Sequence, residues 1–201
     1  MKSKSAIGTA FVISFLFFFM AVFPIPAQQN KAFNWSLALQ NVKTGELIPF
    51  SAPVQAVTGE QYKLVIQPDT ACYCYVIAES TDGEIGVFRE GSLKKGETWY
   101  SPVLELTAPG GSESLWVVTS RSEQKVMAQK ITDFKKTSGA LQKRALMNEV
   151  YKLRSDASKF KEAPEKPVLM GGASRGSSPD KNQGVEFSGV DTYVKTISIE
   201  H

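Results

Sequence analysis

Two cysteines, one histidine and two Ser-Lys spacings are where this chain has the atoms for covalent chemistry. Cys72 and Cys74 stand two residues apart in ACYCYVIAE. On a strand that spacing puts both thiols on one face, with Cα atoms about 6.5–7 Å apart and parallel Cβ directions, a geometry unsuited to a disulfide. They read as packing thiols. A zinc site would need further ligands, and the single histidine, His201, stands at the last position and reads as a frayed end. With no internal imidazole, His-dependent nucleophilic catalysis has no base. The spacing S-x-x-K occurs as Ser92 to Lys95 and Ser122 to Lys125, without the companion motifs that would make it informative. Gly171-Gly172-Ala173-Ser174-Arg175-Gly176 resembles a phosphate loop in composition only, since it lacks the Gly-Lys-Ser/Thr ending and opens no apolar helix. No catalytic residue, cofactor or metal is therefore expected. The remaining binding candidates are Trp99 and Tyr100, beside Pro102 in a polar turn, where flat side chains could stack on a sugar or anchor a peptide.

The elements that would carry these residues are mostly strands. From Tyr62 to Ser120 the chain reads KLVIQ, ACYCYVIAE, EIGVF, VLELT and SLWVVTS, apolar runs of strand length punctuated by Pro68-Asp69, Asp82-Gly83, Gly91, Gly96 and Gly110-Gly111. Asp82-Gly83 predicts a hairpin pairing Cys72–Glu79 with Glu84–Arg89. Cys72, Cys74, Val76 and Ala78 alternate with Tyr73, Tyr75 and Ile77, so both faces of that strand are expected to be covered. Upstream, Trp35, Leu37 and Leu39 share one face of a strand within Phe33–Val42, and Tyr62, Leu64 and Ile66 share one face of the next. The prolines around Ile48–Val57 suit sheet edges. Downstream, Tyr193, Ile197 and Ile199 mark a closing strand over 191–200.

Between Ser120 and that last strand the period becomes helical. Ser120 and Glu123 have capping-box spacing ahead of Met127, Ile131 and Phe134, and Ser138-Gly139 opens a second stripe of Leu146, Val150, Leu153, Ala157 and Phe160. That stripe is expected to cover a sheet face, with a membrane-surface helix as the alternative. Residues 163–184, rich in Pro, Gly and Ser, read as a loop. The fold class expected is thus mainly β: an antiparallel β-sandwich of seven to nine strands, immunoglobulin-like in general architecture, forming one domain over 28–201 with a two-helix insertion at about 121–162. A chain of 201 residues can bury roughly 70% of its unfolded surface, enough for one self-sufficient core.

The N-terminus points to export. Lys2 and Lys4 precede the uncharged run Ala6–Phe23, 18 residues long, and Ala27 sits where a signal peptidase would cut. Residues 1–27 are a cleaved signal peptide or, uncleaved, a membrane anchor, which would be the chain's one contact with a membrane. Either way the domain is expected in the periplasm, secreted, or held on the outer face of the inner membrane. Without residues 1–27 the chain carries 21 basic against 20 acidic residues. Charge is nonetheless segregated: residues 44–120 carry a net −6 and residues 121–166 a net +6. A basic insertion lying against an acidic sheet explains this within one molecule; a basic face for an anionic polymer or lipid is the alternative. Nucleic-acid binding is not expected of an exported chain without a nucleic-acid motif.

Several of these motifs together resemble the bacterial domain-of-unknown-function family 4384: WSLAL, Gly59-Glu60 before YKLVIQ, CYCYVIAESTDGEIGVF, Lys95-Gly96-Glu97, APGGSESLWVVTS and the closing YVKTISIEH. Where the family pattern has a proline after "VF", this chain has Arg89. The resemblance implies an exported β-sandwich-like accessory or interaction module and transfers no functional residue. The function expected is a non-enzymatic envelope module with an unidentified protein partner; the alternative is a carbohydrate or envelope-polymer binder using Trp99 and Tyr100.

Overall fold

The computed structural model describes residues 33–48, 54–107, 110–157, 166–169 and 183–201. The expected signal segment, residues 49–53, Phe160 and the Gly171–Gly176 run lie outside them. Two sheets pack face to face as a β-sandwich. In the first, β1 (Phe33–Asn41) is flanked by β4 (Gln61–Pro68) and β11 (Gln183–Gly189), with β10 (Lys166–Leu169) beyond β11. The short β2 (Leu47–Ile48) pairs with the end of β1, while β7 (Trp99–Tyr100) and β8 (Leu104–Glu105) share the outer edge of β4. The second sheet runs β3 (Val54–Gln55), β12 (Thr192–Glu200), β9 (Ser112–Ser120), β5 (Cys72–Glu79) and β6 (Ile85–Leu93). Among the described residues every pairing is antiparallel except β3 on β12.

The side-chain period decides which residues enter the core. Trp35, Leu37 and Leu39 of β1 and Tyr62, Leu64 and Ile66 of β4 face Cys72, Cys74 and Val76 of β5 and Leu115 and Val117 of β9 across the sandwich. The alternate residues of the second sheet, Tyr75, Ile77, Trp116, Val118 and Val194, form a separate cluster with the helices. Both faces of β5 are therefore buried, which is why this strand is apolar throughout.

The helices α1 (Lys125–Thr137) and α2 (Ala140–Ala157) leave the second sheet at Ser120, whose register partner is Thr192. After the helices the chain passes through β10 and β11 of the first sheet before it regains the second sheet at Thr192. Met127, Ile131, Leu146, Val150 and Leu153 are buried against that sheet, so the apolar stripe of α2 is occupied by protein rather than lipid. Among the described residues no helix is long and apolar enough to cross a membrane. The opposite charges of the two parts meet directly: Lys135 Nζ lies 2.8 Å from Glu90 Oε2.

Several local expectations change. Twelve strands are described instead of seven to nine, because two-residue pairings fill out the sheet edges. Ser120 does not cap α1: it ends β9, and Gln124 occupies the cap position without a side-chain cap bond. Ser138, with φ +49°, closes α1 by donating its N–H to the Phe134 carbonyl, and α2 starts two residues later. The 163–184 segment is not a loop throughout, since Lys166–Leu169 pairs with Gln183–Glu186. Gly91 does not end the hairpin strand either: β6 continues through it to Leu93, and Phe88 is the extra residue at a bulge between Val87 and Arg89.

Candidate binding cleft

One inward-facing position of β9 holds an acid. Register places Glu113 opposite Ile199 and on the same face as Leu115 and Val117, toward the space between the sheets. Leu106, Leu115 and Ile199 are buried there, and with Phe88, Val103 and Leu104 they line a cleft of about 300 Å³ at the end of the sandwich where β9 begins and β12 ends. Ser80, Glu105, Thr107 and Glu113 supply its polar lining.

Glycine makes this end possible. A Cβ on Gly110 would lie 2.5 Å from the carbonyl oxygen of His201, and one on Gly111 would lie 2.5 Å from Thr81 Oγ1. Bare backbone lets the start of β9 close onto both the β5–β6 hairpin and the end of β12. Gly111 N–H donates to the His201 carbonyl at 2.9 Å, and His201 N–H donates to the Gly111 carbonyl at 3.1 Å. Thr81 Oγ1 donates to the Ser112 carbonyl at 3.3 Å.

His201 is therefore not a frayed end. Its backbone extends the β12 ladder and its side chain is only 1% exposed. Nδ1 lies 3.5 Å from Thr58 Oγ1; Nε2 faces Glu113 Oε1 at 4.0 Å and has no hydrogen-bond partner. That separation is an electrostatic contact without a hydrogen bond. Burial pushes the Glu113 carboxyl above its ordinary value, opposed by the His201 charge, while Asp82 raises it further. An inward carboxylate without a donor, beside a buried imidazole nitrogen without a partner, costs the isolated fold free energy and is suited to a group supplied from outside.

Of the residues singled out in the sequence, Cys72 and Cys74 are free and buried in the core. Burial pushes the Cys72 thiol up to about 11 and Cys74 higher still, so neither is a ready thiolate. Trp99 and Tyr100 form a strand, and consecutive strand residues face opposite ways. Trp99, opposite Ile66, packs against the sandwich core with the Arg89 guanidinium 5.6 Å from its ring centre; Tyr100, opposite Val65, points outward and is 39% exposed. The two do not make one stacking surface. Glu113, which lines the cleft, and His201, which lies behind it, are far apart in sequence. The available signal was the alternation of β9, which sets Glu113 on the side of Leu115 and Val117.

A second depression, about 290 Å³ between α1 and α2, is lined by Lys130, Asp133, Lys136 and Leu141 among others and mixes both charges on a solvated helix face. Among the described residues no three His, Cys, Asp or Glu side chains group as metal ligands. No family model matches the chain, and no similar curated protein or solved structure was found.

Proposed function

We propose that this chain is an exported, non-enzymatic accessory module of a bacterial cell envelope, and that it holds a protein partner through the cleft beside Glu113. The observation that carries the reading is the cleft: an apolar space between two sheets, with an inward acid that none of the described residues pairs by a hydrogen bond. Sites of this kind, apolar walls with a few oriented polar groups, are where binding proteins take hold of a ligand. Export rests on Lys2, Lys4, the uncharged run to Phe23 and Ala27. Membership of the 4384 family belongs to the same proposal and rests on the turn glycines and strand residues that carry the resemblance. The sugar-platform alternative loses its geometric basis, because Trp99 and Tyr100 face opposite sides of their strand.

A photo-crosslinking residue at Val103, exposed on the cleft wall, tests this in the native host, with Ser122, exposed near the start of α1, as the control. The expected result is a discrete adduct from position 103 in the envelope fraction and none from position 122. Equal labelling from both positions, or the protein recovered from the cytoplasm, overturns the proposal.

A further inference from the structure

The chemistry of the cleft restricts what it holds. Among the described residues its lining contains two carboxylates, Glu105 and Glu113, and no lysine or arginine. An anionic ligand would meet two like charges in a partly apolar space, where repulsion is poorly screened. A neutral apolar ligand would fill the cleft while leaving the Glu113 carboxylate desolvated and without a donor, which burial already penalises. A cation on an apolar stem satisfies both halves of the site: the stem lies along Leu106, Leu115 and Ile199, and the charge reaches the carboxylate.

His201 backs this carboxylate without lining the cleft: its ring is buried, and Nε2, 4.0 Å from Glu113 Oε1, makes no hydrogen bond to it. Among the described residues no donor therefore satisfies the Glu113 carboxylate. An ammonium group has three N–H bonds to offer it and no acceptor.

Resting on the proposed role of this cleft, we infer that it binds an alkyl ammonium group, the lysine side chain of a partner protein being its macromolecular form, with Glu113 as counter-ion. The test uses the full described domain and three small probes of the same carbon chain: n-butylammonium, n-butanol and butyrate. Titrations are followed by the amide resonances of Leu106, Leu115 and Ile199. The expected result is that n-butylammonium shifts these resonances with an affinity at least about tenfold above n-butanol, with no saturable shift from butyrate. Glu113→Gln, with an otherwise unchanged amide spectrum as proof of fold, should erase that tenfold advantage and leave n-butanol binding unaltered. Equal binding of butylammonium and butanol, insensitive to Glu113→Gln, overturns the ammonium assignment while leaving the cleft as a site. Failure of all three probes to move these resonances overturns the cleft reading as well.

Discussion

The two ends of the sandwich handle polar groups differently, although among the described residues each buries a polar atom without a hydrogen bond: Trp35 Nε1 and Thr119 Oγ1 at one, His201 Nε2 at the other. Where β9 hands over to the helices, polar side chains are tied to one another: Gln124 Nε2 donates to Ser120 Oγ at 2.8 Å and to Thr192 Oγ1 at 3.2 Å, and Gln124 N–H donates to Tyr75 Oη at 3.0 Å. Arg121 Nε donates to the Val190 carbonyl at 2.8 Å, and its guanidinium lies 5.7 Å from the centre of the Phe33 ring. Behind this knot, Trp35 stacks on Phe187 at 4.8 Å and meets Tyr193 edge-on at 5.4 Å. At the other end Glu113 lines an open cleft and faces the buried His201 beyond hydrogen-bond distance. The first end is built for stability. The second forgoes some stability and keeps the Glu113 carboxylate available, the balance expected of a site that meets a partner.

If that contrast is real, mutations should separate the ends. The largest effect belongs to the closed end: Trp35→Ala empties the centre of the aromatic cluster and should cost about 3–5 kcal/mol, read as a fall in the denaturant midpoint. At the open end Gly110→Ala drives a methyl into the His201 carbonyl and should cost about 1–3 kcal/mol, together with a displaced His201 ring signal in the NMR spectrum. Gln124→Ala removes two side-chain hydrogen bonds from the knot and should cost about 1 kcal/mol while leaving Glu113 and His201 resonances unmoved. The smallest effect has the opposite sign. The folded-state value of Glu113 is raised, so its ionised form disfavours folding, and stability held at acid pH is lost as pH rises through that value. Glu113→Gln should therefore raise Tm by no more than a few degrees at pH 7, with the gain vanishing below about pH 4, where the native side chain is protonated in both states. Thermal melts at the two pH values check the sign.

Much of the fold was legible because strand period is a local signal. Alternation in CYCYVIAE announced a strand buried on both faces, and its two side-chain sets do fall in two separate clusters. Asp82-Gly83 announced its hairpin, with Gly83 at φ +80°. What escaped was set by distant pairing. Lys166–Leu169 and Gln183 lie in the stretch 163–184 that reads as a loop, until β10 pairs with β11 and β11 with β1. Ser120 and Glu123 carry a cap spacing, yet ladder bonds to β12 hold Ser120 in the sheet, and its hydroxyl serves Gln124 instead. The cleft escaped for the same reason. Glu113 was readable as an inward acid from Leu115 and Val117, but its neighbour His201 arrives only through the β9–β12 register and the reciprocal Gly111 bonds.

The most direct test of a polar end left open is the titration of Glu113 itself, by side-chain carboxyl ¹³C NMR, free and then saturated with n-butylammonium. The account predicts a midpoint above the ordinary glutamate value in the free protein, moving down when the cation binds. A free-state midpoint at the ordinary glutamate value, unmoved by the cation, would contradict it.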